Sequence, residues 1–286
     1  MKIKYVLFHI LIILLVNKYL FAQEYLFIKS IGNFKDASSF SVTSGGIFYV
    51  SDSETNEVYK VDSAGNILKD AGGYGWDAGL FDNPADLYAN LLSVFVCDKN
   101  NNRVERFDKD LNYISQLDTH NASDKSMRFG YPNSCAVSQQ GDLFILDSEN
   151  KRIVKFDLFG NFILNFGSFD AGSFELLDPI KLAVDNNNNI YVLDKNRIVI
   201  FDQYGNGLNI IKENQQIDGI QIIYNYLTVN NDSLVYFANL KKKEFSLSKI
   251  NFMGNDELKK IVSSLIFNNK LYLLTPKKIF VYQKIQ

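Results

Sequence analysis

The chain has 286 residues, of which 47% are hydrophobic and 14% aromatic, with 23 Phe, 16 Tyr, only 4 Pro and 22% charged residues. That composition supports a large, strand-rich core and excludes an intrinsically disordered protein, which would be apolar-poor and charge-rich. The formal charge is −2 with two His, so zinc sites built on several imidazoles are excluded.

Residues 1–22 read as an export signal. Lys2 and Lys4 precede an apolar run from Tyr5 to Val16, and the small residue Ala22 stands before Gln23. The run is shorter than the roughly 20 apolar residues that span a bilayer, and no Cys follows it to take a lipid. Leu20, two residues before Ala22, departs from the usual small-residue cleavage pattern, so an uncleaved anchor stays open. The expected division is a signal peptide over 1–22 and one domain over 23–286, extracytoplasmic (periplasmic or secreted), with no membrane span after signal removal. Loss of Lys2, Lys4 and Lys18 leaves 27 basic against 32 acidic residues, a charge of −5. Nucleic acid is then a poor partner, because phosphate binding needs concentrated Lys and Arg. The basic run Lys241-Lys242-Lys243 fits a solvated loop or a protected edge strand.

From Ile47 onward the chain repeats itself. "IFYVSDSETNEVYKVDSAGNIL" starts at Ile47, "VFVCDKNNNRVERFDKDLNYI" at Val94, "LFILDSENKRIVKFDLFGNFI" at Leu143 and "IYVLDKNRIVIFDQYGNGL" at Ile190. Asp52, Asp98, Asp147 and Asp194 fall in register at spacings of 46, 49 and 47. Two weaker copies follow, from Val235 with Asn239 in the Asp place and from Leu271 with Thr275 there. Short apolar strands precede the copies, "FSV" at 40–42, "LYA" at 87–89, "CAV" at 135–137, "LAV" at 182–184, "YLTV" at 226–229 and "SLIF" at 264–267. The turns between carry Gly or Asn, which accept the backbone of tight hairpins. Each unit is then a four-stranded meander. Six such units favour a six-bladed β-propeller of antiparallel blades over a sandwich, with "EYLFIKSIG" at 24–32 supplying the last outer strand and closing the ring. A monomer is expected.

These units resemble the NHL repeat. Unit three carries its pattern as Phe144, Asp147, Asn150, Arg152, Ile153, Phe156, Asp157 and Gly160, and unit two as Asp98, Asn102, Arg103, Val104, Phe107 and Asp108. "WDAGLFDNP" at 76–84 and "FDAGSFELLDP" at 169–179 are similar to that family's approach to the next blade. The resemblance covers 23–208 directly and 209–286 by extension. It implies a propeller fold and leaves activity open.

Among chemical candidates the repeated Asp residues come first. Each ends a strand before a turn, where a carboxylate accepts backbone N–H groups, so Asp52, Asp98, Asp147 and Asp194 are expected to be structural. Arg103, Arg152 and Arg197 would pair with carboxylates of neighbouring blades. His120, in "DTHNASDKS", has no nucleophile elbow beside it, and the His-rich amidating lyase that shares the NHL propeller differs from this chain at its ligands. Resemblance to gluconolactonase- or paraoxonase-like propellers would imply a divalent metal in the channel. The inner strands offer only Asp86 and Asn225 to a cation that wants 6–8 oxygens, and Lys181 near that level would oppose it. No cofactor is therefore expected, with Ca²⁺ as the alternative. Cys97 and Cys135 lie on neighbouring units and are expected to be buried free thiols, with a disulfide as the other option.

Trp76 and Phe169 occupy matching places before Asp-Ala-Gly. With Tyr131, Asp86 and Lys181 they make the expected ligand-binding set. Large aromatics on a rim can anchor a partner, and they can equally wedge between blades. The reading that follows is a non-catalytic binding propeller for a peptide, protein or glycan on its channel face. The alternative is a metal-dependent lactonase or lyase-like hydrolase using the channel.

Overall fold

The structure is a computed structural model, and it describes residues 23–242 and 245–285. The expected signal segment lies outside the described residues, as does the third Lys of the basic run. Among the described residues the elements are strands, with one 3₁₀ turn at Phe169–Phe174. β1 is Gln23–Ile31. The first blade follows as β2 Ala37–Val42, β3 Phe48–Asp52, β4 Glu57–Val61 and β5 Ile67–Gly72. The second is β6 Pro84–Ala89, β7 Ser93–Asp98, β8 Arg103–Asp108 and β9 Tyr113–Asp118. The third is β10 Ser134–Val137, β11 Leu143–Asp147, β12 Arg152–Phe156 and β13 Phe162–Phe166, and the fourth is β14 Pro179–Val184, β15 Ile190–Asp194, β16 Arg197–Phe201 and β17 Gly207–Lys212. Each is an antiparallel meander hydrogen-bonded in sequence order.

The remaining strands are β18 Gly219–Ile223, β19 Tyr226–Asn230, β20 Val235–Asn239, β21 Ser248–Met253, β22 Ser263–Phe267, β23 Lys270–Leu274 and β24 Ile279–Lys284. They do not form separate fifth and sixth blades. With β1 they make one eight-stranded sheet, in the order β18-β19-β20-β21-β1-β24-β23-β22. The expectation of six four-stranded blades is thereby corrected to four blades plus one eight-stranded sheet. β1 is the cause, because both of its edges are used. It pairs antiparallel with β24 and also parallel with β21, Gln23 opposite Ile250 and Leu26 opposite Met253. A strand hydrogen-bonded on both sides leaves no free edge, which removes a site for aggregation.

The fifth unit is also displaced by one strand from the expected reading. "YLTV" belongs to β19, and the innermost strand is β18, "GIQII". Tyr224-Asn225 forms the tight turn between them, with Tyr224 at φ 56°. Asn225 is therefore a turn residue, and Asn230, not Asn239, ends the second strand. It is buried and accepts a bond from Ser264 Oγ at 3.0 Å.

Second strands such as "LFILD" and "IYVLD" are buried along their whole length, whereas the outer strand "YISQLD" is almost wholly exposed. The gradient follows from position, since inner strands are covered on both faces and outer strands meet water. The core lies in wedges between neighbouring sheets. Phe144, Leu146 and Ile153 of the third blade meet Leu182, Val192 and Phe201 of the fourth. Phe40 and Val50 of the first blade meet Leu265, Leu274 and Val281, tying it to the eight-stranded sheet.

β2, β6, β10, β14, β18 and β22 stand side by side in a closed ring around a channel. Every innermost strand starts at one end of the channel, where linkers arrive from the preceding outer strand, and finishes at the other, in the hairpin to the second strand. These are the linker end and the hairpin end. Corners at the hairpin end are set by Asp62, Asp108, Asp157 and Asp202. In each, the carboxylate accepts backbone N–H groups from residues two and four further on and a bond from the Asn four further on. Gly65, Gly160 and Gly205 supply the positive φ these corners need, and the second blade uses Leu111 at φ 56° instead.

Candidate functional site: the channel and its two ends

The channel floor is a polar belt across the inner strands. Asp86 on β6 is buried and receives Ser39 Oγ from β2 at 2.5 Å and Ser134 Oγ from β10 at 2.6 Å. Lys181 Nζ on β14 lies 2.9 Å from Asp86 Oδ1 and donates to Ser39 Oγ at 3.2 Å. Four blades thus meet in one buried ion pair. Gln221 on β18 continues the belt, with Nε2 donating to Phe40 O at 2.6 Å and Ser263 Oγ at 3.0 Å. Burying a charge is costly unless it is paired and hydrogen-bonded, and Asp86 is both. Lys181, expected to oppose a cation, is paired with the one inner-strand carboxylate.

Above this floor, toward the hairpin end, the channel widens into a funnel of about 650 Å³. Its wall includes Phe40, Ser41, Tyr88 and Cys135, and its mouth Ser44, Asn90, Gln139, Asn186 and Tyr224. Burial raises the Tyr88 phenol above its ordinary pKa of 10.0, with Cys135 adding to the effect. Gln139 Nε2 donates to Asn186 Oδ1 at 3.2 Å, linking two mouth residues. The only charges lining the funnel, among the described residues, are Asp86 and Lys181.

The expected ligand-binding set therefore divides. Asp86 and Lys181 form the funnel floor, whereas Trp76, Tyr131 and Phe169 sit on linkers at the opposite end. The aromatics do not wedge between blades: Trp76 is 71% exposed, Tyr131 48% and Phe169 85%. Sequence spacing put them near inner-strand starts but gave no sense of which end the cavity opens from. The funnel mouth was missed, although its signal was present in the hairpin tips "TSGG", "SQQG" and "DNNNN", read only as turn chemistry.

The Trp76 loop is held by a second buried cluster. Arg103 donates through Nε to Asp98 at 2.8 Å, through Nη1 to Trp76 O at 2.8 Å, and through Nη2 to Leu80 O at 2.7 Å and Asp77 O at 3.1 Å. Its partner is the carboxylate of its own blade rather than a neighbour's, and Arg152 and Arg197 repeat this with Asp147 and Asp194, each Nε to Oδ2 at 2.9 Å. Glu105 is fully buried 3.1 Å from Arg103 Nη2 and accepts Gly79 N–H. Burial pushes its carboxyl up from 4.5 to about 7, against the lowering by Arg103 and the Gly79 amide. Burial also raises Asp98, outweighing the bonds from Asn101, Asp82 N–H and Arg103.

The four repeated Asp residues are fully buried. Asp52 accepts the N–H groups of Lys35 and Asp36 from the incoming linker and of Glu54 and Thr55 from its own turn. Asp147 takes Gly130 N–H and Asn150, and Asp194 takes Leu177 and Asp178 N–H. Each ties linker to turn. Cys97 and Cys135 are buried free thiols facing one another between the second and third blades, and burial lifts the Cys97 thiol well above its ordinary value. His120 is exposed in the loop after β9. Among the described residues no three His, Cys, Asp or Glu side chains come together as a metal cluster, and no helix is long and apolar enough to cross a membrane.

Four-stranded meanders arranged around a central channel define an all-β propeller. The NHL repeat model matches residues 129–156, the end of a linker through β12. Protein brain tumor of Drosophila melanogaster is 31% identical over 143 residues, covering 48% of this chain and 13% of that protein, so this chain spans a small part of that relative's length. Virginiamycin B lyase from Staphylococcus aureus superposes with a TM-score of 0.60 at 12% identity, covering 90% of this chain and 99% of that one. A streptogramin B lyase gives 0.59 at 10% identity over 90% and 97%. A catalytically inactive histidine-to-alanine variant of the staphylococcal lyase with quinupristin gives 0.57 at 14% identity over 87% and 80%. At these identities the lyases establish the fold alone. The match over residues 129–156 and the propeller fold together support an NHL-repeat type of β-propeller.

Proposed function

We propose that this propeller is a non-catalytic binding module whose ligand occupies the funnel at the hairpin end. The observation that carries the reading is the Asp86–Lys181 floor. Its carboxylate accepts from Ser39, Ser134 and Lys181, which leaves it neutralised and pinned rather than poised as a base, nucleophile or metal ligand. A concave, largely preformed cavity of this size with a few polar groups is the usual form of a ligand site. The leader pattern at 1–22 supports an extracytoplasmic location.

The second reading, a metal-dependent lactonase or lyase-like hydrolase using the channel, draws on the lyase fold neighbours. Against it, the inactive staphylococcal variant lacks a histidine, and here the single His after residue 22 is His120, exposed in a loop. Incubation of the protein with quinupristin and Ca²⁺, followed by chromatography, separates the readings. Unchanged quinupristin is expected, and a new product peak absent from a protein-free control would overturn the binding-only reading.

A further inference from the structure

The funnel's chemistry narrows what it can hold. Its mouth is built from neutral hydrogen-bonding groups whose capacity the protein does not use. Among the described residues, Gln139 Oε1, Asn186 Nδ2 and Asn90 Nδ2 make no protein hydrogen bond, because Gln139 uses only Nε2, Asn186 only Oδ1, and Asn90 only its Oδ1, toward the Leu92 and Ser93 amides. Deeper in, Gln221 Oε1 and the Tyr88 hydroxyl are likewise without protein partners, and none of these five atoms is sealed from solvent. Carboxamides and hydroxyls both donate and accept. Set around a ring, they match a ligand that presents several hydroxyl groups at once.

Turn chemistry explains some of this amide content, Asn90 Oδ1 included, but not Gln139 or Asn186. Asn188, Asn268 and Asn269 sit in hairpin tips at φ 62°, 49° and 59°, where Asn is favoured for its backbone. Gln139 and Asn186 do not adopt positive φ. Gln has no short-range turn role comparable to Asn.

Charge and depth argue against charged ligands and long extended peptides. Asp86 and Lys181 neutralise each other at 2.9 Å, so no net charge awaits a carboxylate, phosphate or ammonium group. The wall from the floor to the mouth on β2 and its turn is only Phe40 to Ser44, which gives an extended peptide about 16 Å of strand to pair with. The apolar lining includes Tyr88, with Tyr224 half exposed at the rim and stacked on Phe267 at 6.3 Å. Such faces receive the C–H surface of a sugar ring.

We infer that the funnel is a site for a neutral saccharide, its hydroxyls held by Gln139, Asn186, Asn90 and Gln221 and its apolar face against Tyr88. The inference rests on the proposed binding role of the same cavity.

The test uses the full chain on an array of neutral and acidic glycans, with neutral capped tripeptides in parallel. Variants Gln139→Ala/Asn186→Ala, which change only exposed mouth groups, and Trp76→Ala, at the opposite end, are compared with the parent, and circular dichroism checks their fold. At least one neutral glycan is expected to bind, weakened about tenfold or more by the mouth variant, the worth of one or two lost hydrogen bonds, and unchanged by Trp76→Ala. Binding of an acidic glycan or a tripeptide that responds to the mouth variant, without a neutral glycan, would overturn the saccharide inference and leave the binding role standing. Absence of any mouth-sensitive binding would overturn both.

Discussion

Glu105 offers a quantitative test because its environment reverses the usual behaviour of a carboxylate. In the folded chain its pKa is about 7 against an ordinary 4.5, so between those values the native state keeps a proton that the unfolded state has released. The unfolded state then binds fewer protons, and stability falls as pH rises through the window. Below about 4.5 the contribution is fully present, and above about 7 it is gone. The difference corresponds to about 3 kcal/mol, with a slope near 1.4 kcal/mol per pH unit. Arg103, Asp98 and Gly79 N–H face the group, and burial, with Glu105 adding to it, raises the nearby Tyr113 phenol. Glu105→Gln keeps the shape and an acceptor for Gly79 while removing the titration. Urea unfolding followed by circular dichroism from pH 4 to 8.5 should show the variant gaining on the parent by about 3 kcal/mol between pH 4.5 and 7, with no further change above. Parallel curves for the two proteins would refute the assignment of a protonated, buried Glu105.

Other outcomes follow from the same geometry. Asp147→Ala should cost about 3–5 kcal/mol, because it strands the Arg152 guanidinium and unties Gly130 from the turn; a shift in urea midpoint measures it, and a loss below 1 kcal/mol would contradict the tie. Lys181→Met leaves Asp86 buried without its cation and should destabilise by a similar amount, whereas Asp86→Asn/Lys181→Met should recover much of the loss in a double-mutant cycle. Arg103→Lys removes the fork that grips the Trp76, Asp77 and Leu80 carbonyls. The fluorescence anisotropy of Trp76, the only Trp, should fall. Removal of residues 23–31 would expose the edges of β21 and β24 and should produce concentration-dependent association in light scattering.

The repeat from Ile47 to Leu208 made the meander and the placement of Asp52, Asp98, Asp147 and Asp194 readable, because turn chemistry is local. The joined sheet was not readable, since nothing in "QEYLFIKSI" says that both of its edges are taken. The fifth unit slipped because "YLTVN" and "VYFAN" are equally good strands, and only the tight Tyr224-Asn225 turn decides between them. Asp86 and Lys181 were legible as residues at one level of the channel, but their pairing depends on strand register across two blades. Glu105 leaves a trace in the sequence. It stands where the other blades carry Tyr59, Val154 and Val199, and a carboxylate in an apolar column marks a local exception. The end from which the cavity opens is a property of the assembled ring, so Trp76, Tyr131 and Phe169 could not be separated from the floor by spacing.

The central claim, that ligand enters at the hairpin end, is tested most directly with two single-tryptophan proteins. The parent reports from Trp76 at the linker end, and Trp76→Phe/Tyr224→Trp reports from the funnel rim. Titration with the tightest neutral glycan from the array should change the emission of the rim reporter at the ligand's own midpoint and leave Trp76 unchanged. A saturable change at Trp76 with a silent rim would contradict it.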